Sequence, residues 1–140
     1  MKKFLFFTLT FILTISLTGC GETVITELPE DKQGLYIGNC PDNMIDKYCY
    51  VYKMESNVMK VKLCNLRYSA SQCDFEKDGD GLFRIHTYTI KDLNFSRDDG
   101  NGYFNAYNVD NTKEYECNTS FGKIYCSTST GGSISMSKSS

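Results

Sequence analysis

Between Gly34 and Thr128 the chain alternates short runs of valine, isoleucine, tyrosine, phenylalanine and threonine with polar breaks, and no stretch keeps a helical period. The strongest breaks are DGDG at 78–81 and DDGNG at 98–102, where Asp-Gly and Asn-Gly supply the positive φ angles of tight turns. The pattern predicts strands over 34–40, 47–54, 57–65, 71–77, 82–91, 93–97, 102–109, 113–118 and 123–128. A meander of so many short strands must bury one face and hide its edges. The expected fold class is therefore all-β, a small antiparallel meander barrel or a sandwich of hairpins.

The cysteines add a construction rule. CPDNMIDKYC (Cys40 to Cys49), CNLRYSASQC (Cys64 to Cys73) and CNTSFGKIYC (Cys117 to Cys126) share one interval. In an antiparallel hairpin, residues i and i+9 face each other when the chain reverses at the midpoint. Opposed Cα atoms then stand about 4.5–5.5 Å apart, which a disulfide can bridge. The spacing predicts three local bridges, Cys40–Cys49, Cys64–Cys73 and Cys117–Cys126, against the alternative of a framework linking neighbouring hairpins. Phe121-Gly122 is then a two-residue turn, with Gly122 supplying the unusual angle, whereas Pro41 lacks an N–H and makes the first hairpin irregular.

These registers also sort the faces. Pairing Cys40 with Cys49 sets Ile37 opposite Tyr52 and Leu35 opposite Met54, so the stripe Tyr48, Tyr50, Tyr52 falls with the apolar residues and reads as core. An exposed tyrosine binding surface is the competing reading. In the second hairpin Met59, Val61 and Leu63 lie opposite the Cys64 face, although Phe75 falls on the cysteine face. In the third, Tyr115 and Ile124 share the cysteine face, so the bridges need not all point inward.

The ends carry an address. MKKFLFFTLTFILTISLTGC places two lysines before a short uncharged apolar run that ends on small residues, the layout of a secretory leader. Leu17, Thr18, Gly19 and Cys20 resemble the lipobox of bacterial lipoproteins. That resemblance implies removal of residues 1–19, acylation of Cys20 as the new first residue, and, with Gly21 rather than aspartate following, the outer membrane of a Gram-negative cell. Residues 20–33 then form a lipidated N-terminus and tether, 34–128 the disulfide-rich β domain, and 129–140 a flexible Ser/Gly-rich tail. Six remaining cysteines in an exported chain suit an oxidising compartment.

Charge and motifs exclude more than they assign. The formal charge of −2 becomes −4 when Lys2 and Lys3 leave with the leader, and the other basic residues are scattered, so no nucleic-acid footprint appears. The acidic turns lack the ligand spacing of a calcium loop, and the cysteines are too far apart for a zinc knuckle. His86, the sole histidine, has no nucleophile arranged around it, and the paired aspartates 78/80 and 98/99 sit in turns where solvated acids are ordinary. No catalytic residue, cofactor or metal is expected, and Asn94-Phe95-Ser96 and Asn118-Thr119-Ser120 carry no weight as glycosylation sites in a bacterial chain.

Size, lipid anchor and strand content resemble the membrane-bound inhibitors of c-type lysozyme, which are small barrel lipoproteins. The chain has no tryptophan, and so lacks that family's core signature, and it has two more bridges, so no binding residue carries over. The expected function is a lipid-anchored envelope module that recognises a protein partner, as an inhibitor, immunity or exclusion factor does. A structural or accessory role in an envelope assembly is the alternative. The contents of the three cysteine rings are the first place to look for binding.

Overall fold

A computed structural model describes residues 25–41, 48–66 and 70–139. Eight strands run in order: β1 Gly34–Ile37, β2 Tyr48–Met54, β3 Val58–Asn65, β4 His86–Phe95, β5 Gly102–Tyr107, β6 Lys113–Ser120, β7 Lys123–Thr128 and β8 Ser133–Lys138. Each pairs antiparallel with the next and β8 returns to β1, closing a barrel. Of the two architectures open to the sequence, this is the one that leaves no free edge. All three local disulfides are present, with Cα separations of 4.0, 5.7 and 4.1 Å in chain order.

Several expectations are corrected. Residues 129–140 are not a flexible tail, because Ser133–Lys138 forms the closing strand. SISMSK alternates with period two: Met136 is fully buried and Ile134 packs against the core, while the serines between them face water. The tether also ends early. Leu28 is 1% exposed, its N–H donates to the Ser56 carbonyl at 2.7 Å, and Glu30–Lys32 forms a single 3₁₀ turn against the barrel end.

No strand covers 71–77. Ala70–Gln72 is a 3₁₀ turn, and the Glu76 N–H takes the Asp74 carboxylate at 2.8 Å, a local bond that replaces ladder pairing. Residues 82–91 and 93–97 are not two strands. The chain first makes a 3₁₀ turn at Gly81–Phe83, then runs as one strand to Phe95 through a bulge at Asp92, whose φ is 57°.

The first hairpin is one residue out of the expected register. Tyr36 opposes Tyr52 and Leu35 opposes Lys53, rather than Ile37 opposing Tyr52 and Leu35 opposing Met54. Tyr50 explains the slip, since its carbonyl accepts from Gly38 N–H and its own N–H donates to the Asn39 carbonyl, both at 2.8 Å. Two residues thus face one, which restores Cys40 to bridging distance of Cys49 just beyond the end of β1.

Two apolar clusters result. Inside the barrel, Tyr36, Tyr52, Met54, Met59, Phe104 and Met136 surround the third bridge, and Leu28 plugs one end. Outside it, Val51, Cys64 and Phe75 pack together beneath the loop that follows β3. Phe75 therefore belongs on the cysteine face. Cys49 and Cys64 are directly opposed, so the first two bridges stand side by side on the outer wall while Cys117–Cys126 points inward. Burying Phe75 and Val51 contributes about 1.5–3 kcal/mol each, enough to hold the covering loop without a strand.

Candidate functional site

An up-and-down barrel separates its connections by end. Beside the start of β1 lie the β2–β3, β4–β5 and β6–β7 turns; the remaining four connections lie at the opposite end. The two ends are built differently.

The first end is sealed. Leu28 enters the core, and the Tyr36 hydroxyl donates to the Lys32 carbonyl at 2.7 Å from within. Lys32 Nζ donates to Asn101 Oδ1 at 3.1 Å, the same oxygen accepts from Thr119 Oγ1 at 3.3 Å, and Thr119 Oγ1 accepts from Gly102 N–H at 3.0 Å. This chain satisfies the buried ammonium and ties the N-terminal turn to three strands. Burial, reinforced by the Asp31 charge, pushes the Tyr36 phenol up to about 12.

Among the described residues the second end is open. A cavity of about 300 Å³ is lined by Asn39, Tyr50, Tyr52, Val61, His86, Tyr88, Tyr115 and Ile134. Strand alternation explains the set: Tyr50 and Tyr52 share one face of β2, Tyr88 faces inward with Ile90 on β4, and Tyr115 with Cys117 on β6. The Gly38–Asn39 bulge turns Asn39 to the rim, and His86, paired with Val61, stands at the start of β4. A larger hollow of about 390 Å³ lies on the outer wall around Leu35, Lys53 and Phe75. It is a side groove of the loop packing, whereas the mouth opens into the barrel itself.

Among the described residues the mouth lining is aromatic and holds no carboxylate, lysine or arginine. Tyr88 and Tyr115 meet edge to face, with centroids 5.1 Å apart and planes at 89°. Burial lifts the Tyr52 and Tyr88 phenols well above the usual tyrosine range, with the neighbouring Tyr115 adding to both. Burial also raises Tyr115, although the hydrogen bond from Tyr88 works in the opposite direction there. These three hydroxyls are therefore protonated at neutral pH, able to donate and to accept. Such a lining suits a neutral group with an apolar body and a polar edge, and disfavours an anion.

The rim adds exposed apolar side chains. Val109, in the β5–β6 turn, is 90% exposed, and Leu82 is 65% exposed beside Phe83, whose ring meets Tyr48 at a tilt of 54° with centroids 5.6 Å apart. Among the described residues no group of three or more His, Cys, Asp or Glu side chains is placed to hold a metal.

The sequence expectations divide accordingly. The tyrosine stripe is split: Tyr52 is buried in the core at the floor of the mouth, Tyr50 lines the mouth, and Tyr48 meets Phe83 at the rim. The alternations His86-Tyr88-Ile90 and Tyr115-Cys117-Thr119 mark Tyr88 and Tyr115 as inward, but only the pairing of β4 and β6 on either side of β5 brings them together. Of the ring contents, 42–47 and 67–69 lie outside the described residues, as does Cys20. The third ring is described, and its Phe121 is 89% exposed at the sealed end.

Comparison with protein-family models, with characterised proteins and with solved structures returns no match.

Proposed function

We propose that the chain is a lipid-anchored cell-envelope module that recognises a protein partner through the open end of its barrel, in the manner of an inhibitor, immunity or exclusion factor. The observation that carries this reading is the contrast between the ends: one closed by the N-terminal segment, the other, among the described residues, a tyrosine-lined mouth with Val109 and Leu82 exposed at the same end. Tyrosines offer large contact area and a hydrogen-bonding tip at low entropic cost, which is why they recur as binding hot spots. A mouth of this volume admits one or two side chains of a partner loop, with the rim covering the rest. Attachment at Cys20 would put the sealed end toward the membrane and leave the mouth free.

The test is affinity capture from native envelope with the soluble Gly21–Ser140 domain, run in parallel with Tyr50→Ser and Val109→Asp. A partner held by the parent and by Phe121→Ser but lost by at least tenfold with the two mouth-end variants supports the reading. A partner held equally by all four rejects it. Loss of an assembled envelope complex on deleting the chain, without any captured partner, would favour the accessory role.

A further inference from the structure

Phe121 is costly where it stands. Its φ is 45° and that of Gly122 is 79°, so the pair forms a two-residue turn in which both residues take the left-handed conformation. Asn-Gly fills such turns readily, whereas a bulky aromatic rarely adopts this conformation. The ring is 89% exposed, so packing does not repay the choice. The turn is nevertheless held firmly: Cys117 and Cys126 are bridged at its base, and Gly122 O accepts from Lys138 N–H at 2.9 Å.

Two further aromatics extend the feature. Tyr103 on β5, Asn118 on β6 and Tyr125 on β7 form one row across the outer wall, with the tyrosines 64% and 40% exposed. At about 3.3 Å per strand residue, the row stands roughly 10 Å behind the tip. An apolar tip with a tyrosine collar at that distance matches the depth of a bilayer's interfacial layer, where tyrosine rings collect.

The chain's own connectivity brings this tip to a membrane. The N-terminal segment packs at the same end, with Asn57 Nδ2 donating to the Thr26 carbonyl at 2.8 Å and Lys138 Nζ to the Asp31 carbonyl at 2.8 Å. From Cys20 to Ile25 there are five residue steps, which span at most roughly 17 Å. An anchor at Cys20 therefore holds this end, rather than the mouth, against the bilayer.

We infer that the β6–β7 tip is a second membrane contact, with Phe121 seated in the interfacial layer and Tyr103 and Tyr125 at headgroup level, so that the lipidated barrel stands with its mouth outward. This rests on the lipid-anchor reading. Apolar insertion drives the contact: Lys123 at the tip and Arg97 in the adjoining turn are balanced by Asp98 and Asp99 of that same turn, so ionic strength should have little effect.

The absence of tryptophan makes the test direct, because Phe121→Trp and Val109→Trp each place a single reporter at one end. The full lipidated chain is reconstituted in phosphatidylethanolamine–phosphatidylglycerol vesicles, with and without brominated acyl chains, after the mass of the mature chain has been read. The reporter at 121 should emit at shorter wavelength and lose most of its emission to bromine, in low and high salt alike, while the one at 109 does neither. Tyr125→Trp, outside the strained turn, should show the same quenching to a smaller extent and covers the case in which the tip variant fails to fold.

A mass without an acyl group would remove the anchor reading and this inference with it. An acylated chain whose reporters at 121 and 125 stay solvent-like and unquenched overturns the inference alone, as does equal quenching at 109. A reporter at 121 that shifts only on adding envelope extract would give the tip to a protein and equally overturn it.

Discussion

Replacing Leu28 by alanine tests whether the residues before β1 are part of the fold or a spacer. The side chain is 1% exposed and lies in the main core, while its N–H donates to the Ser56 carbonyl. The substitution removes three buried carbons, worth roughly 2–2.5 kcal/mol at about 0.8 kcal/mol per methylene. It also leaves a cavity at the barrel end, where water can enter and limit the added cost, so the total belongs in the lower part of the usual 2–5 kcal/mol range, at about 2–3 kcal/mol. The assay is equilibrium urea unfolding of the Gly21–Ser140 domain with its disulfides intact, followed by far-ultraviolet circular dichroism. With slopes of about 1–3 kcal/mol per molar urea, the midpoint should fall by about 0.7–3 M at unchanged slope. Exposed Glu27→Ala should stay within about 0.5 kcal/mol of the parent. A Leu28→Ala midpoint equally close to the parent would refute the plug and return residues 25–33 to a tether.

Removing Ser133–Ser140 should open the barrel, expose the edges of β1 and β7 and strip Met136 from the core; size-exclusion chromatography should then show aggregation, and a monomer with an unchanged melting curve would make the segment a tail after all. Asp92 accepts hydrogen bonds from Tyr107 and Asn105, which hold its carboxyl below the usual range, the Tyr107 bond contributing most. Its folded value lies below its unfolded one, so the stabilisation is present above about pH 4 and is lost as pH falls through the depressed value. Asp92→Asn tolerates the same left-handed backbone but does not titrate. Urea midpoints should thus separate the parent from this variant at pH 7 and draw together as the pH falls below about 4; a constant separation would exclude the carboxylate as its source.

What could be read in the sequence was local. The nine-residue interval pairs each cysteine with its hairpin neighbour, and Phe121-Gly122 marks its own turn, because short-range geometry decides both. Asn39 shows the limit: Pro41 announces an irregular first hairpin, but not that one extra residue at a bulge shifts the register of Leu35 and Tyr36. SISMSK hid its strand for a different reason. Serine-rich composition suggested a tail, while the informative quantity was the alternation of Ile134 and Met136, which only a partner on each side makes worth burying. The mouth was the least legible feature, since Tyr88 and Tyr115 belong to strands far apart in sequence that meet only once β4 and β6 pair on either side of β5. The leader and Cys20 remain a reading of sequence alone.

The seam between β1 and β8 has a consequence in time. Its register contains two pairs, Tyr36 with Lys138 and Ile37 with Ser137, and the Lys138 ammonium reaches a carbonyl 107 residues away. Each cysteine ring can close as soon as its own short stretch is available, but the seam waits for nearly the whole chain. A polypeptide that meets an oxidant before its C-terminal strand is in place can therefore carry closed hairpins without yet having a barrel. Its last step is a zip of a few hydrogen bonds, and until then β1 and β8 present open edges to any neighbouring copy.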